Sequence, residues 1–435
     1  MGMVLIFYPF GDSGRLSYAA GHIFGSLSGV EFEVTGDRAR FVSHVGVAID
    51  YSPEGIGHGF RVVPSGLLEG RGYSVVNDLR EGGWEGMYCI FFSGVGDIPF
   101  DIFSAVFYFL TSYEEYFSDD LDGHGRYDMF VSLAFRRGFL DIPLVDRWAV
   151  TFREELSRRF PLFEFRPREY RFVVTFDVDF PYRYRHRGFM RNVRSFAGNF
   201  LRGDYGGIRD HFGVLLGLSE DPYLEVLRRI ETDVRRAGLR YLLFILLGGG
   251  DDVGHSGGCL GGDFLKFVSL LERDCVGLHP SYGSYGDLSC LVGEKSGLEA
   301  ILDCGSIVRC RRHFLRYTCP GSFREAFSAG FTDDYTLAFA GSPGYRSGTS
   351  VPYRFYDVER DILTGLTIHP TVMMDTTLIC HLGLGPDAAF DVISGLAGAS
   401  RAVGGDFTCL WHNSNLAGRG NRWYEVFARS LRELQ

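Results

Sequence analysis

The chain has 435 residues, 46% hydrophobic and 23% charged, an ordinary globular composition long enough for two or three domains. Its formal net charge of −10 argues against a nucleic-acid partner, which requires a basic face, and no apolar run is long enough to span a bilayer. Nine cysteines form no CxxC pair, so buried free thiols in a reducing, cytoplasmic setting are expected, with Cys259, Cys275, Cys290, Cys304, Cys310 and Cys319 in or beside apolar runs.

The opening stretch "MGMVLIFYPFGDSG" is apolar but has no basic flank and no small-residue cleavage site. It reads as a first strand rather than a signal peptide. "HVGVAIDY" reads as another strand. "DIFSAVFYFLTSYEEYF" predicts a helix that starts at Asp101 and places Ile102, Phe103, Val106, Phe107 and Leu110 on its apolar positions. "LVDRWAVTFREELSRRF" predicts a second, amphipathic helix. Residues 1–165 are therefore expected to form a smaller α/β or α+β domain. Two prolines and dense charge in "RRFPLFEFRPREYR" suggest a boundary near 160–170.

From 170 to 435 the pattern alternates. A β-branched and aromatic strand, "RFVVTFDVDF", leads to a helix at 220–238 with Leu224, Leu227, Ile230 and Val234 on one face and Gly238 at its end. Then come a strand "YLLFIL", a helix around 263–273, a strand "DCVGLH", a helix near 294–303 and a strand "SIVRCRRHF". "LTIHPTVMM", a helix at 386–403 and "DFTCLWH" complete the series. Repeated β–α units imply a parallel sheet, and this many of them imply a barrel, with chemistry where the strands end.

At those ends stand Asp177 and Asp179, His279, His313 and His412. The aspartates are one residue apart, so they face the same side of an extended chain. Like charges this close are costly unless a cation sits between them, although Asp is also common in the turn after a strand. A single histidine at a strand end usually serves as a hydrogen-bond partner. Several, on strands meeting at one mouth, suggest a shared site. Two carboxylates with two imidazoles suit a borderline divalent ion such as Zn²⁺, with a further histidine free to move protons. That is equipment for metal-assisted hydrolysis of an amide or ester.

These residues resemble the polysaccharide deacetylases of carbohydrate esterase family 4, the NodB-like group. Thr175-Phe176-Asp177-Val178-Asp179 matches the family's first motif, "VGLHPSY" at His279 the second, and Leu410-Trp411-His412 the last, in family order over about 170–415. The resemblance implies an incomplete, seven-stranded (β/α) barrel. It also implies Asp177 as catalytic base, His412 as general acid, and Asp179 and His279 as ligands of a divalent metal, Zn²⁺ by preference. The family's second motif carries another histidine four residues on, where this chain has Gly283. Tyr282 beside it is a poor zinc ligand, and His313 is the expected replacement. The family's arginine motif matches either "RRHFLRY" or "GYRSGTSVPY", and Arg346 of the latter is the expected substrate or Asp-orienting residue. Tyr282 and Trp411 are expected to touch the carbohydrate substrate.

The whole chain also resembles deacetylase-like proteins of bacterial surface-polysaccharide gene clusters, which carry an extra N-terminal domain. "FYFLTSYEEY", "DGHGRYD", "GLHPSYGSY", "RRHFLRY", "DDYTLAFA" and "GYRSGTSVPYRFYD" carry that likeness. The implied activity is removal of an acetyl group from an N-acetylated sugar in surface-polysaccharide metabolism. His124 and Arg126, in the loop "GHGRYD", either shape the cleft, bind a partner or only cap a turn.

Two rivals stand beside this reading. In a phosphatase of the haloacid dehalogenase type, Asp177 would be the nucleophile, Mg²⁺ the metal, and Asp333, Asp334 and Lys266 the remaining groups. That motif wants Thr or Val where Pro181 stands, and it leaves His279 and His412 unexplained. A glycosyltransferase DxD fits less well. The other rival is a non-catalytic scaffold that binds glycan or an assembly partner, with Gly283 marking a decayed metal site.

Overall fold

The computed structural model describes residues 2–76, 79–185, 193, 196–198, 200–201, 203, 205–247, 260–303 and 305–435. Four short parallel strands, β1 (Val4–Phe7), β2 (Phe32–Thr35), β3 (Ala48–Asp50) and β4 (Phe60–Arg61), pair in the order β2-β1-β3-β4. Every residue of β1 is buried, as an apolar run inside a parallel sheet must be. A hairpin of β5 (Gly82–Trp84) and β6 (Met87–Cys89) follows. The helix expected from Asp101 runs over Ile102–Leu110, with the Asp101 carboxylate accepting from the Ser104 amide. It stops earlier than predicted because Ser112 adopts a left-handed φ of 50°, after which Tyr113–Phe117 forms a 3₁₀ turn. The amphipathic helix spans Leu144–Arg159.

Beyond 170 lie β7 (Arg171–Val178), β8 (Tyr241–Ile245), β9 (Val276–Leu278), β10 (Arg309–Cys310) and β11 (Asp333–Asp334). They are followed by β12 (Tyr353–Asp357), β13 (Ile362–Ile368), β14 (Met373–Met374) and β15 (Asp406–His412). The ladder order is β12-β13-β11-β10-β9-β8-β7-β15-β14, parallel except for β12 against β13. Helices Pro222–Arg236, Gly262–Ser269, Leu288–Leu302, Gly321–Ser328 and Pro386–Ala402 connect successive strands. Leu224, Leu227, Ile230 and Val234 are the buried face of the first of these, as their spacing predicts.

The ladder has nine strands, not the seven expected. The strand β12 adds to the edge, and the predicted single strand "LTIHPTVMM" is split between β13 and β14. Pro370 lies in the split and has no amide to donate. The split run nevertheless touches both flanks of the sheet. Ile368 pairs with Asp334, Thr371 N–H donates to Leu337 O, and Val372 N–H donates to Thr408 O.

The largest buried apolar cluster is continuous across both sheets, from Val4 and Ile6 to Phe407 and Trp411. Tyr18 and Phe107 pack their rings on Tyr356 at 5.1 and 5.4 Å. Buried Asp146 accepts from the Thr349 hydroxyl and from both the hydroxyl and the amide of Ser350. Cys275, Cys290, Cys310 and Cys319 are free thiols, while Cys259 and Cys304 lie outside the described residues. Among the described residues no helix is long and apolar enough to cross a membrane.

Candidate functional site

The site forms where β7, β9, β10, β14 and β15 end. Along β7, Phe176 packs outward on Tyr241 and Phe427, and Asp177 faces the other way. Asp177 lies opposite His412 across the parallel pair β7–β15, so register alone brings these two residues side by side. Asp179 follows the strand. His279 follows β9, its amide donating to Ile245 O, and His313 follows β10, its amide donating to Pro280 O. Phe314 and Leu315 come next, with φ of 60° and 50°. Two successive non-glycine residues in the left-handed region are strained, and such strain gathers at functional sites.

Asp179, His279 and His313 offer ligand atoms that all lie within 4.8 Å of one another. Asp179 Oδ1 is 3.3 Å from His279 Nε2 and 3.8 Å from His313 Nε2. Buried Asp179 Oδ1 and His279 Nε2 lack an aligned hydrogen-bond partner. The His279 Nδ1–H donates to the Arg311 carbonyl, which turns the Nε2 lone pair toward Asp179. Orphaned buried polar atoms facing one another fit a bound cation.

Charge sharpens the picture. Burial would raise the Asp179 carboxyl, but His279, His412 and His313 outweigh it and hold the group well below the usual carboxylate range. Burial would lower His279, but Asp177 and Asp179 carry it above its ordinary value.

A second pair flanks the cluster. His412 Nδ1 lies 2.6 Å from Asp375 Oδ1, and the His412 amide donates to Asp375 Oδ2 at 2.8 Å. Asn415 donates to the same Oδ2 at 3.1 Å. Burial pushes His412 down, yet Asp375, with smaller help from Asp179 and Asp177, carries it to about 10. Asp375 thus favours the charged form of His412. Asp177 is held differently. Arg311, fully buried, donates from Nη1 to Asp177 Oδ1 at 3.0 Å, from Nη2 to Thr175 Oγ1 at 2.6 Å and from Nε to Tyr335 O at 3.1 Å.

These groups line one cavity of about 340 Å³, whose wall includes Leu315, Met374 and Leu410 on its apolar side. Asp177, Asp179, His279, His313 and His412 all open onto it. Three expected substrate residues lie elsewhere. Trp411 is fully buried, because strand alternation turns it away from Leu410 and His412, and it packs on Phe427. Arg346 does not line the cavity. It is buried with Glu115, its Nη2 donating to Oε1 at 2.9 Å and its guanidinium facing Tyr317 and Phe339. Arg311, from the other candidate motif, is the arginine that meets an aspartate of the site. Tyr282 stands behind the rim, its hydroxyl 3.3 Å from His124 Nδ1.

The sequence reading missed Asp375. It immediately follows β14 in "VMMD", and the strand-end rule applied to that run would have found it.

Residues 4–161 match a family of unknown function, DUF7033. No curated protein matches the chain. Among solved structures, the chain is similar to a crystal structure from Mycobacterium smegmatis, of a protein provisionally named a polysaccharide deacetylase. The identity is 14%, the TM-score 0.39, and the likeness covers 61% of this chain and 84% of that one.

Proposed function

We propose that the chain is a metal-dependent hydrolase that removes the acetyl group from an N-acetylated sugar. In this reading the strands beyond 170 form a seven-staved (β/α) barrel, the split run 362–374 serving as one stave. Asp179, His279 and His313 hold one divalent ion, Zn²⁺ by preference. The observation that carries the proposal is a cation-fitting cluster flanked by a carboxylate and an imidazole on adjacent strands. A divalent ion bound there would polarise the amide carbonyl and make the attacking water more acidic.

The protein's own groups do the rest. Arg311 fixes Asp177 Oδ1, which leaves Oδ2 to take the proton of the attacking water. His412, protonated through Asp375, gives its proton to the departing amine. Leu315, Met374 and Leu410 present an apolar wall suited to a small acyl methyl, and about 340 Å³ has room for a sugar unit.

The test pairs elemental analysis with acetate release from a panel of N-acetylated sugars. Wild type should carry one divalent ion per chain. His279→Ala should lose most of it, because losing even a ligand's outer-shell partner weakens affinity about 10–100-fold and losing the ligand itself weakens it more. Undiminished metal in that variant, or a metal-loaded wild type that releases no acetate from any sugar, would sink the reading.

A pH profile tests the acid. His412 must be charged to donate, and Asp375 is the main group favouring the charged form. The alkaline limb of the wild-type rate should therefore fall above the ordinary imidazole value. In Asp375→Asn that limb should move down, toward the ordinary imidazole value of about 6.5. An alkaline limb that stays in place would remove His412 from the acid's role.

A further inference from the structure

The loop "DGHGRYD" comes from the stretch that matches DUF7033, yet His124 and Arg126 line the cavity with Asp179, His279, His313 and His412. The loop is built to hold one shape. The Leu121–Tyr127 bridge closes its base, and Asp122 Oδ1 accepts from the amides of His124 and Arg126 at 2.8 and 3.0 Å. It is also fastened to the rim of the site. Arg126 Nη1 donates to Phe314 O at 2.6 Å, within the strained turn that follows His313. Arg316 Nε donates to His124 O at 2.7 Å, and its guanidinium lies 4.1 Å from the ring centroids of both Tyr282 and Tyr285.

Arg126 is occupied by these contacts, since its Nε also donates to Asp122 Oδ2 at 2.7 Å. His124 is different. Its Nδ1 meets the Tyr282 hydroxyl at 3.3 Å, and its ring packs against Phe314 at 5.1 Å. When Nδ1 accepts the Tyr282 proton, the neutral imidazole carries its own proton on Nε2. That nitrogen is the one left for a ligand.

We infer that His124 is a substrate-contact residue, its Nε2–H donating to a hydroxyl or carbonyl oxygen of the bound acetamido sugar. The catalytic cavity is thus composite, and completing it is a function of the stretch that matches the family of unknown function. Asp122, Arg126 and Tyr282 act through His124 as positioning residues. The inference rests on the proposed deacetylase reading and adds a determinant of substrate affinity.

The test uses the full chain with Asp177→Asn, so that sugar binds without turnover, and the trimer of N-acetylglucosamine as the probe. Adding His124→Ala should weaken trimer binding about three- to ten-fold, the size of one neutral hydrogen bond, with metal content unchanged. His124→Gln places an amide N–H near the Nε2 position and should recover most of the affinity. In the otherwise wild-type enzyme, His124→Ala should raise KM more than it lowers kcat. Equal affinity in all three proteins would overturn the inference, and so would failure of Gln to rescue. A parent that does not bind the trimer at millimolar concentration would overturn the assigned ligand class. Acetate release by wild type from other N-acetylated sugars decides the deacetylase reading separately.

Discussion

Asp177→Asn is expected to retain its metal and lose about 10²–10⁴-fold in acetate release. The substitution keeps shape, and the amide oxygen can still accept from Arg311 Nη1 where Asp177 Oδ1 does now, at 3.0 Å. What it removes is a group able to take a proton. The three proposed ligands, Asp179, His279 and His313, are untouched, so elemental analysis should give the wild-type value. This outcome separates Asp177 from a ligand, whose loss would empty the site, and from a bystander, whose loss would leave the rate unchanged. A wild-type rate in the metal-loaded variant sinks the base assignment. Loss of metal would instead put Asp177 in the coordination sphere, which its 3.7 Å approach to His279 Nε2 makes a real alternative to exclude.

The strand ends were legible because two simple periodicities act together. Alternation sends Asp177 and Asp179 to one side, and parallel β–α units bring strand ends to one edge of the sheet. The same alternation would have ruled out Trp411, which sits between Leu410 and His412 and must face the other way. Asp375 was hidden by a misjudged strand. "LTIHPTVMM" reads as continuous, but Pro370 breaks it, and the short β14 that results has its own end. The choice between arginines was not legible at all. Arg311 meets Asp177 from 134 residues away, and Arg346 meets Glu115 from 231 residues away. Nothing local to either motif distinguishes an arginine that holds Asp177 from one that holds a distant glutamate. His124 was legible only as one of three options, shaping the cleft, binding a partner or capping a turn, and it is found on the cavity wall.

Arg311→Met should be the most damaging single change to stability near the site, at about 3–5 kcal/mol. Arg311 is fully buried, and Asp177 is 1% exposed. Met fills much of the stem's volume, so the loss comes from the charge rather than from a cavity. Asp177 would remain buried without its arginine, Thr175 Oγ1 would lose its donor, and the Tyr335 carbonyl would keep only the Thr371 hydroxyl. The guanidinium also lies 4.5 Å from the Phe244 ring centroid, a contact that Met replaces only in part. Urea unfolding of the two single variants and the double variant gives the decisive comparison. Asp177→Asn alone leaves Arg311 without its carboxylate but still bonded to Thr175 and Tyr335, so it should cost less than Arg311→Met. With both changed, no unpaired charge is buried, and the double variant should be more stable than the sum of the single losses predicts, by about 0.5–3 kcal/mol. Strict additivity would mean that the pair does not couple. The orientation of Asp177 toward the cavity would then have to come from the β7–β15 backbone register instead.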